Sequence, residues 1–245
     1  MRYWLLLGMV VILAACGSPV TATPAPTPQA IKITYPTGLQ KWVDNLANCA
    51  VDDPRVALYV NRSNQWNGDL SRSEVALEFA LSNADYAGFY LTQLGYEQLQ
   101  VVSNQENPLS ELTGSQLTAI FSGQVEKWPG ATGRAIQVWV LPKDDPLRTI
   151  FDQAVLHGKP ASSNAMLAPD STAMLEAISS DPDSIGYLPA SWIDSGNSDL
   201  ITNVKIFRLD DSLANQLRQP VIAVTHEEPV GLLRELLVCL VSNAP

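Results

Sequence analysis

Strand-like and helix-like segments alternate along this chain from Ile31 almost to its end at Pro245, and that alternation limits the fold more than any other feature. Ile31-Lys32-Ile33-Thr34-Tyr35 is a β-like run stopped by Pro36 and Gly38, and Leu39, Trp42, Val43 and Leu46 then recur on one helical face. Val56 to Val60 is a second strand. Ser73 reads as a helix N-cap, with Glu74 in the first turn and Val75, Ala76, Phe79 and Ala80 behind it, before an apolar run from Asp85 to Leu91. Strand-like Leu99 to Val102 precedes a helix over Leu112 to Phe121, opened by the Thr113-Gly114-Ser115 turn. Ile136 to Leu141, Leu175 to Ile178, Ile185 to Leu188, Val204 to Phe207 and Val221 to Val224 keep the two kinds of element mixed, and Val230 to Val241 forms a last apolar helix. Interspersed strands and helices predict an α/β fold with a largely parallel sheet in each unit.

Ahead of this body, Met1-Arg2-Tyr3 supplies one positive charge and Trp4 to Ala15 is almost unbroken apolar sequence, the layout of a secretory signal. A helix needs roughly 20 residues to cross the hydrocarbon core, so a permanent transmembrane anchor is disfavoured. The run ends in Leu13-Ala14-Ala15-Cys16-Gly17, which resembles the lipobox of bacterial lipoproteins; the alternative is an ordinary signal with a chance cysteine. The resemblance implies a signal peptide over residues 1–15 and lipidation of Cys16, each buried methylene adding about 0.8 kcal/mol of membrane affinity. Residues 16–30, with Pro19, Pro24, Pro26 and Pro28 among threonine, serine and alanine, read as a disordered tether that spaces the body from the membrane.

Hydrophobic residues make up 46% of the chain and charged residues 16%, enough for a substantial core. The formal charge of −10 argues against nucleic acid, whose phosphates need a basic face, and against anionic lipid binding by the folded body. No Gly-x-Ser-x-Gly elbow, His-Glu-x-x-His pair or metal-spaced cysteines are present, and His157 and His226 stand far apart, so neither an enzyme nor a cofactor or metal site is expected. With Cys16 set aside, Cys49 and Cys239 remain; they either form a disulfide, as an extracytoplasmic compartment allows, or are two buried thiols that never meet.

The stretch from Leu112-Thr113 through Gln116-Leu117 and Ile120-Phe121-Ser122-Gly123 to Trp128 resembles a segment of the periplasmic phosphate-binding proteins and their relatives, the type II substrate-binding proteins. Thr34-Tyr35-Pro36 with Trp42 resembles the first strand-to-helix turn of that family, Asp85-Tyr86-Ala87 its aspartate-bearing strand, and Ile185-Gly186-Tyr187 a third motif. The resemblance implies two α/β lobes joined by two crossing segments, with a hinge and an interlobe cleft that closes on a solute. Lobe 1 would comprise residues 31–104 plus 209–245, and lobe 2 residues 105–208. Cys49 and Cys239 would then share a lobe, which favours the disulfide.

In such a cleft, helix N-termini aim free N–H groups and the positive dipole end at the ligand. The resemblance therefore points to Thr34, Tyr35 and Thr37 on the first turn, Ser63 and Asn64 in the second loop, and Asp85, Lys143 and Tyr187 as ligand contacts. The bland alternatives are turn capping for Thr37 and Ser63, packing for Tyr35 and Tyr187, and backbone hydrogen bonding for Asp85. Phosphate binders carry an arginine before a Ser-Gly-Thr turn where this chain reads Lys143-Asp144-Asp145-Pro146-Leu147-Arg148. Two carboxylates there would repel a dianion by about 1 to 4 kcal/mol per close pair, and Pro146 has no N–H to donate; the alternative is that all four charges are solvated. The resemblance thus implies an extracytoplasmic, membrane-anchored solute-binding lipoprotein of an ABC-type importer, expected to be a monomer, with membrane transporter subunits as partners and a small solute, oxyanions among the candidates, as ligand. The competing expectation is a sensor, adaptor or interaction lipoprotein on the same fold with no small-molecule ligand.

Overall fold

Apolar and polar residues begin to alternate at the residue where the sheet takes up its first buried side chain. The computed structural model describes residues 27–82, 84–128, 133–194 and 199–245; the leader, Cys16 and the tether as far as residue 26 lie outside the described residues. Strand β1 (Gln29–Tyr35) turns Ile31, Ile33 and Tyr35 inward and starts two residues before the strand-like run that the sequence suggests. A 3-10 turn (Thr37–Leu39) leads into α1 (Gln40–Ala50), which buries Trp42, Val43 and Leu46 on the predicted face. Next come β2 (Val56–Arg62) and β3 (Val75–Phe79).

β3 corrects the expected helix after Ser73. All five of its residues are buried. Val75, Leu77 and Phe79 join the main core while Ala76 packs in a second cluster on the opposite face. A strand covered on both faces loses the period-2 alternation that identifies strands, and Ser73-Glu74 then mimics a cap. The Asp85-Tyr86-Ala87 segment is likewise not a strand; it belongs to turns that precede β4 (Tyr90–Asn104).

After β4 the chain forms α2 (Gly114–Phe121), β5 (Gln137–Val140), α3 (Pro146–Phe151), β6 (Met166–Leu167), α4 (Ser171–Ser180), β7 (Ser184–Pro189), α5 (Ala190–Asp194), β8 (Val204–Ile206), α6 (Asp211–Gln216), β9 (Arg218–Thr225) and α7 (Gly231–Ser242). α2 starts where its turn residues predict. Thr113 Oγ1 accepts from Gln116 N, and Gln116 Oε1 accepts from Thr113 N at 2.8 Å, a reciprocal capping box. Asp170 and Asp210 cap α4 and α6 in the same spirit, each accepting from a backbone N–H three residues on.

The sheet runs in the order β2-β1-β3-β9-β4-β7-β5-β6, with β8 on β4. β1 pairs parallel with β2 and β3, and β5 parallel with β6 and β7, but β9 and β4 bring antiparallel pairing into the middle. The sheet is therefore mixed and not largely parallel as expected. β4 joins its two parts: Tyr90 to Gln98 pair with β9, Leu99 to Ser103 with β7, and Val102 to Asn104 with β8. The buried apolar core is continuous across this junction, from Trp42 and Leu46 through Leu99 and Val101 to Phe121, Phe151 and Tyr187.

At the partner exchange, the buried Glu97 carboxylate accepts from Trp42 Nε1 of α1 at 2.9 Å and from Ser191 N of α5 at 3.2 Å. Trp42 also closes on the backbone of β4: a Cβ placed on Gly95 would sit 2.8 Å from Trp42 Cη2, so only glycine fits there. Among the described residues, no helix is long and apolar enough to cross a membrane.

Cys49 of α1 and Cys239 of α7 form a disulfide. Because it closes 190 residues of chain, it removes much of the freedom of the unfolded state. Replacing both cysteines by serine should lower unfolding free energy by about 2–5 kcal/mol, measured as an earlier denaturation midpoint, and a reducing agent should have the same effect on the wild type.

Candidate functional site

The first strand-to-helix turn, where the sequence places three of its ligand contacts, is occupied by the protein's own side chains. Thr37 donates from both its backbone N (2.9 Å) and its Oγ1 (2.7 Å) to Asn64 Oδ1, and Ser63 N donates to Tyr35 O at 2.9 Å. Asn64 Nδ2 in turn donates to Asp145 Oδ2 at 3.4 Å. Tyr35, Thr37, Ser63 and Asn64 are thus brought together, yet their polar atoms are spent within the protein, the Tyr35 hydroxyl donating to Gln40 Oε1 at 2.7 Å and Ser63 Oγ to Gln65 O at 3.2 Å. Thr34 lies half-buried in β1 beside them. Leu147 closes the turn from α3, packed so tightly that a Cβ on Gly38 would sit 2.7 Å from Leu147 Cδ1.

The stretch from Lys143 to Arg148 divides by depth. Asp145 is almost fully buried and caps α3, accepting from Leu147 N at 2.9 Å, with Pro146 at the first helical position where no N–H is needed. Its own carboxylate therefore holds the helix end that an oxyanion would otherwise seek. Arg148 is buried too, its Nε donating to Asp152 at 2.7 Å and its Nη1 to Leu141 O at 2.9 Å, so it is committed internally. Lys143 and Asp144 are exposed. Burial pushes the Asp145 carboxyl up to about 6, against the pull of Leu147 N and with the charges of Asp144 and Asp170 adding to the rise.

Two further candidates lie apart from this turn. Tyr187 is fully buried, its hydroxyl accepting from Leu141 N at 3.0 Å and its ring stacked on Phe151 with centroids 4.0 Å apart, so it packs the core. Asp85 is exposed and accepts from Ala87 N at 2.9 Å, the local backbone role.

Beside the filled turn a cavity of about 290 Å³ remains, lined by Asn64, Trp66, Glu78, Tyr86, Lys143 and Thr149 among others. Its deepest polar group is one that sequence reasoning missed. Glu78 of β3 is only 4% exposed, and its Oε1 has no hydrogen-bond partner. Burial alone pushes its carboxyl up to about 8. The available signal was a lone acidic residue inside the apolar run Val75-Ala76-Leu77-Glu78-Phe79. Tyr86 and Trp66 are anchored at the wall, Tyr86 Oη donating to Phe79 O at 3.0 Å and Trp66 Nε1 to Asp85 O at 2.8 Å. Among the described residues, no group of three or more histidine, cysteine or acidic side chains could hold a metal ion.

A family model described as the PBP superfamily domain matches residues 70–229. The chain belongs to this family. Solved structures of this PBP fold cover nearly the whole body. A putative phosphate ABC transporter substrate-binding protein from Clostridium perfringens, with bound phosphate, matches 86% of this chain and 93% of its own at 18% identity, with a TM-score of 0.72. An ABC-type phosphate transport receptor from Vibrio cholerae covers the same shares at 20% identity and 0.62. The reduced OxyR regulatory domain from Pseudomonas aeruginosa covers 87% of this chain and 95% of its own at 12% identity and 0.61. Together these establish the type II periplasmic-binding-protein-like α/β fold that the Leu112 to Trp128 segment implied. Among curated proteins, none matches this sequence.

Glu78 and Asp145, which with Glu97 are carboxyls that burial raises, shape the pH response of this PBP domain. Each binds its proton in the folded state at pH values where the unfolded chain has lost it, so its contribution is complete below the ordinary value and declines as pH rises. For Glu78 the decline runs from about 4.5 towards about 8, and for Asp145 from about 3.8 towards about 6. Glu78→Gln, a neutral isostere, should therefore be more stable than the wild type at pH 8, by an amount of the order of a few kcal/mol, and the two should converge near pH 4. A variant melting below the wild type at pH 8 would show that the carboxylate has a stabilising partner.

Proposed function

We propose that this PBP-domain chain is an extracytoplasmic solute-binding lipoprotein, anchored through a diacylated Cys16, that presents a small solute to an ABC-type importer. In this reading residues 31–104 plus 209–245 and residues 105–208 act as lobes that move about β4. The observation that carries it is the polar cavity between the loop after β2, the end of β3 and the loop before α3, which retains an unpartnered carboxyl on a fold used by solute-binding proteins. In this reading the first turn is not the seat of an oxyanion. Thr37, Asn64 and Asp145 are bonded to one another, and a phosphate would have to displace a capping carboxylate.

A second reading, a sensor or adaptor on the same fold with no small ligand, draws support from that same self-filled turn and from Leu147 seated on Gly38. A thermal-shift screen of the full-length protein in detergent, across oxyanions, sugars, amino acids and amines, separates the two. A ligand that binds only the folded state must raise the melting temperature, by RT ln(1 + [L]/Kd) in free energy. We expect at least one small solute to do so; a flat response to every class would favour the sensor or adaptor. Radiolabelled palmitate should be incorporated into the wild type and not into Cys16→Ser.

A further inference from the structure

We infer that the cavity beside the filled turn takes a small organic cation, an amine or quaternary ammonium, with Glu78 as its counter-ion and Trp66 and Tyr86 as its aromatic wall. The inference rests on the solute-binding reading and names the chemical class of the solute.

Glu78 projects from the face of β3 opposite the main core, the face where Trp66, Tyr86 and Phe89 pack around Ala76 and Leu70. No other described residue gives it a hydrogen bond, and no cation of the protein shifts its carboxyl; burial is the sole influence upon it. A buried carboxyl without donor or counter-ion is costly, which is why folded proteins rarely leave one. Here it borders a cavity of about 290 Å³, close to the small end of ligand pockets. An entering cation would supply what the site lacks.

The walls fit the same class. Trp66 is fixed by its bond to Asp85 O, lies 5.5 Å from Tyr86 and meets Phe89 edge-on at 5.2 Å, so two ring systems line the space without having to be ordered on binding. Aromatic faces attract an ammonium through their quadrupoles, most strongly where water is excluded. An anion finds the opposite: the one deep ionisable group has the wrong sign, and the nearby helix-end N–H groups are held by Asn64 and Asp145. Lys143 and Asp144 sit exposed at the mouth, where their opposite charges offset and solvent screens both.

Besides Lys143 and Asp144 at the mouth, the cavity is shared by Tyr86, which is pushed up to about 12 by burial and by the Glu78 charge and stays neutral at working pH. β9, paired with β3, contributes Ile222 opposite Glu78, and the segment 64–66 brings no charge. Glu78 is thus the group whose ionisation the ligand must drive. A quaternary ammonium, which does not titrate, should bind more tightly as pH rises, with apparent affinity falling about fifty-fold from pH 8 to pH 6 as the ionised fraction drops.

The test uses full-length protein in detergent, with choline and tetramethylammonium as cation probes, phosphate and sulfate as anion probes and glucose as the neutral probe. Thermal shift and calorimetry would be run between pH 6 and pH 8.5. A cation probe should raise the wild-type melting temperature with the stated pH trend. Glu78→Gln should weaken it at least tenfold at pH 8 while keeping a cooperative melt, and Lys143→Ala should bind it as well as the wild type or better. A shift with phosphate, sulfate or glucose and none with the cations would overturn this inference and leave the solute-binding reading standing. No shift with any probe would overturn the inference, and a flat response across the wider screen of solute classes would then remove the solute-binding reading as well. A cation shift unchanged in Glu78→Gln would also overturn the inference, since the cation would then be held elsewhere.

Discussion

Glu97 sits where β4 leaves β9 and takes up β7, and the rest of the fold is organised around the way that buried carboxylate is satisfied. Trp42 reaches it from α1 and Ser191 N from α5, so one side chain ties together elements that pack on different parts of the sheet. Burial raises its pKa, and the Trp42, Ser191 and Gln98 donors pull against that rise, the opposite of the situation at Glu78. The Trp42 ring needs the bare backbone of Gly95 to reach this position. A bonded charge at a strand crossing specifies register, because sliding β4 by one residue would turn the carboxylate to the other face. Continuity of the apolar core through Leu99 and Val101 follows from the same arrangement.

With the sheet set in this way, α3 is brought against the end of β1. Leu147 covers Gly38 while Asp145 satisfies the first turn of its own helix and meets Asn64. These contacts convert a place suited to an external anion into an internal polar bridge. What stays open lies one strand further over, at β3, where the exposed side of the sheet is roofed by Trp66 and Tyr86 and not by a helix. The shift of the opening from the first turn to β3 also changes its chemistry, from backbone N–H groups to a carboxyl and aromatic rings.

Particular residues show how far one-dimensional reasoning reaches. The Thr113 cap with Gln116 three residues on, the Trp42-Val43-Leu46 face and the Pro36 stop are local codes, and the structure follows them. Local codes failed at β3, because a strand buried on both faces has no alternating pattern, and a serine followed by glutamate imitates a helix start. Asn64 was legible as a polar residue near the site but not as the cap of a turn 27 residues earlier in the chain. Glu78 was legible only as a lone acidic residue in an apolar run, and its place at a cavity depends on neighbours that the run does not name.

The sequence by itself determined the interleaving of elements and the segment that marks the PBP family, and it bounded the charge and the cysteine count. These follow from spacing and composition, which act over a few residues or over the whole chain. Tertiary structure alone decided that Cys49 meets Cys239, that Asp145 turns inward while Asp144 stays in solvent, and that Glu78 faces a cavity with no partner. Each depends on which distant segments come within a few ångströms of one another, and burial then sets the energy of a polar group far more strongly than its place in the chain does.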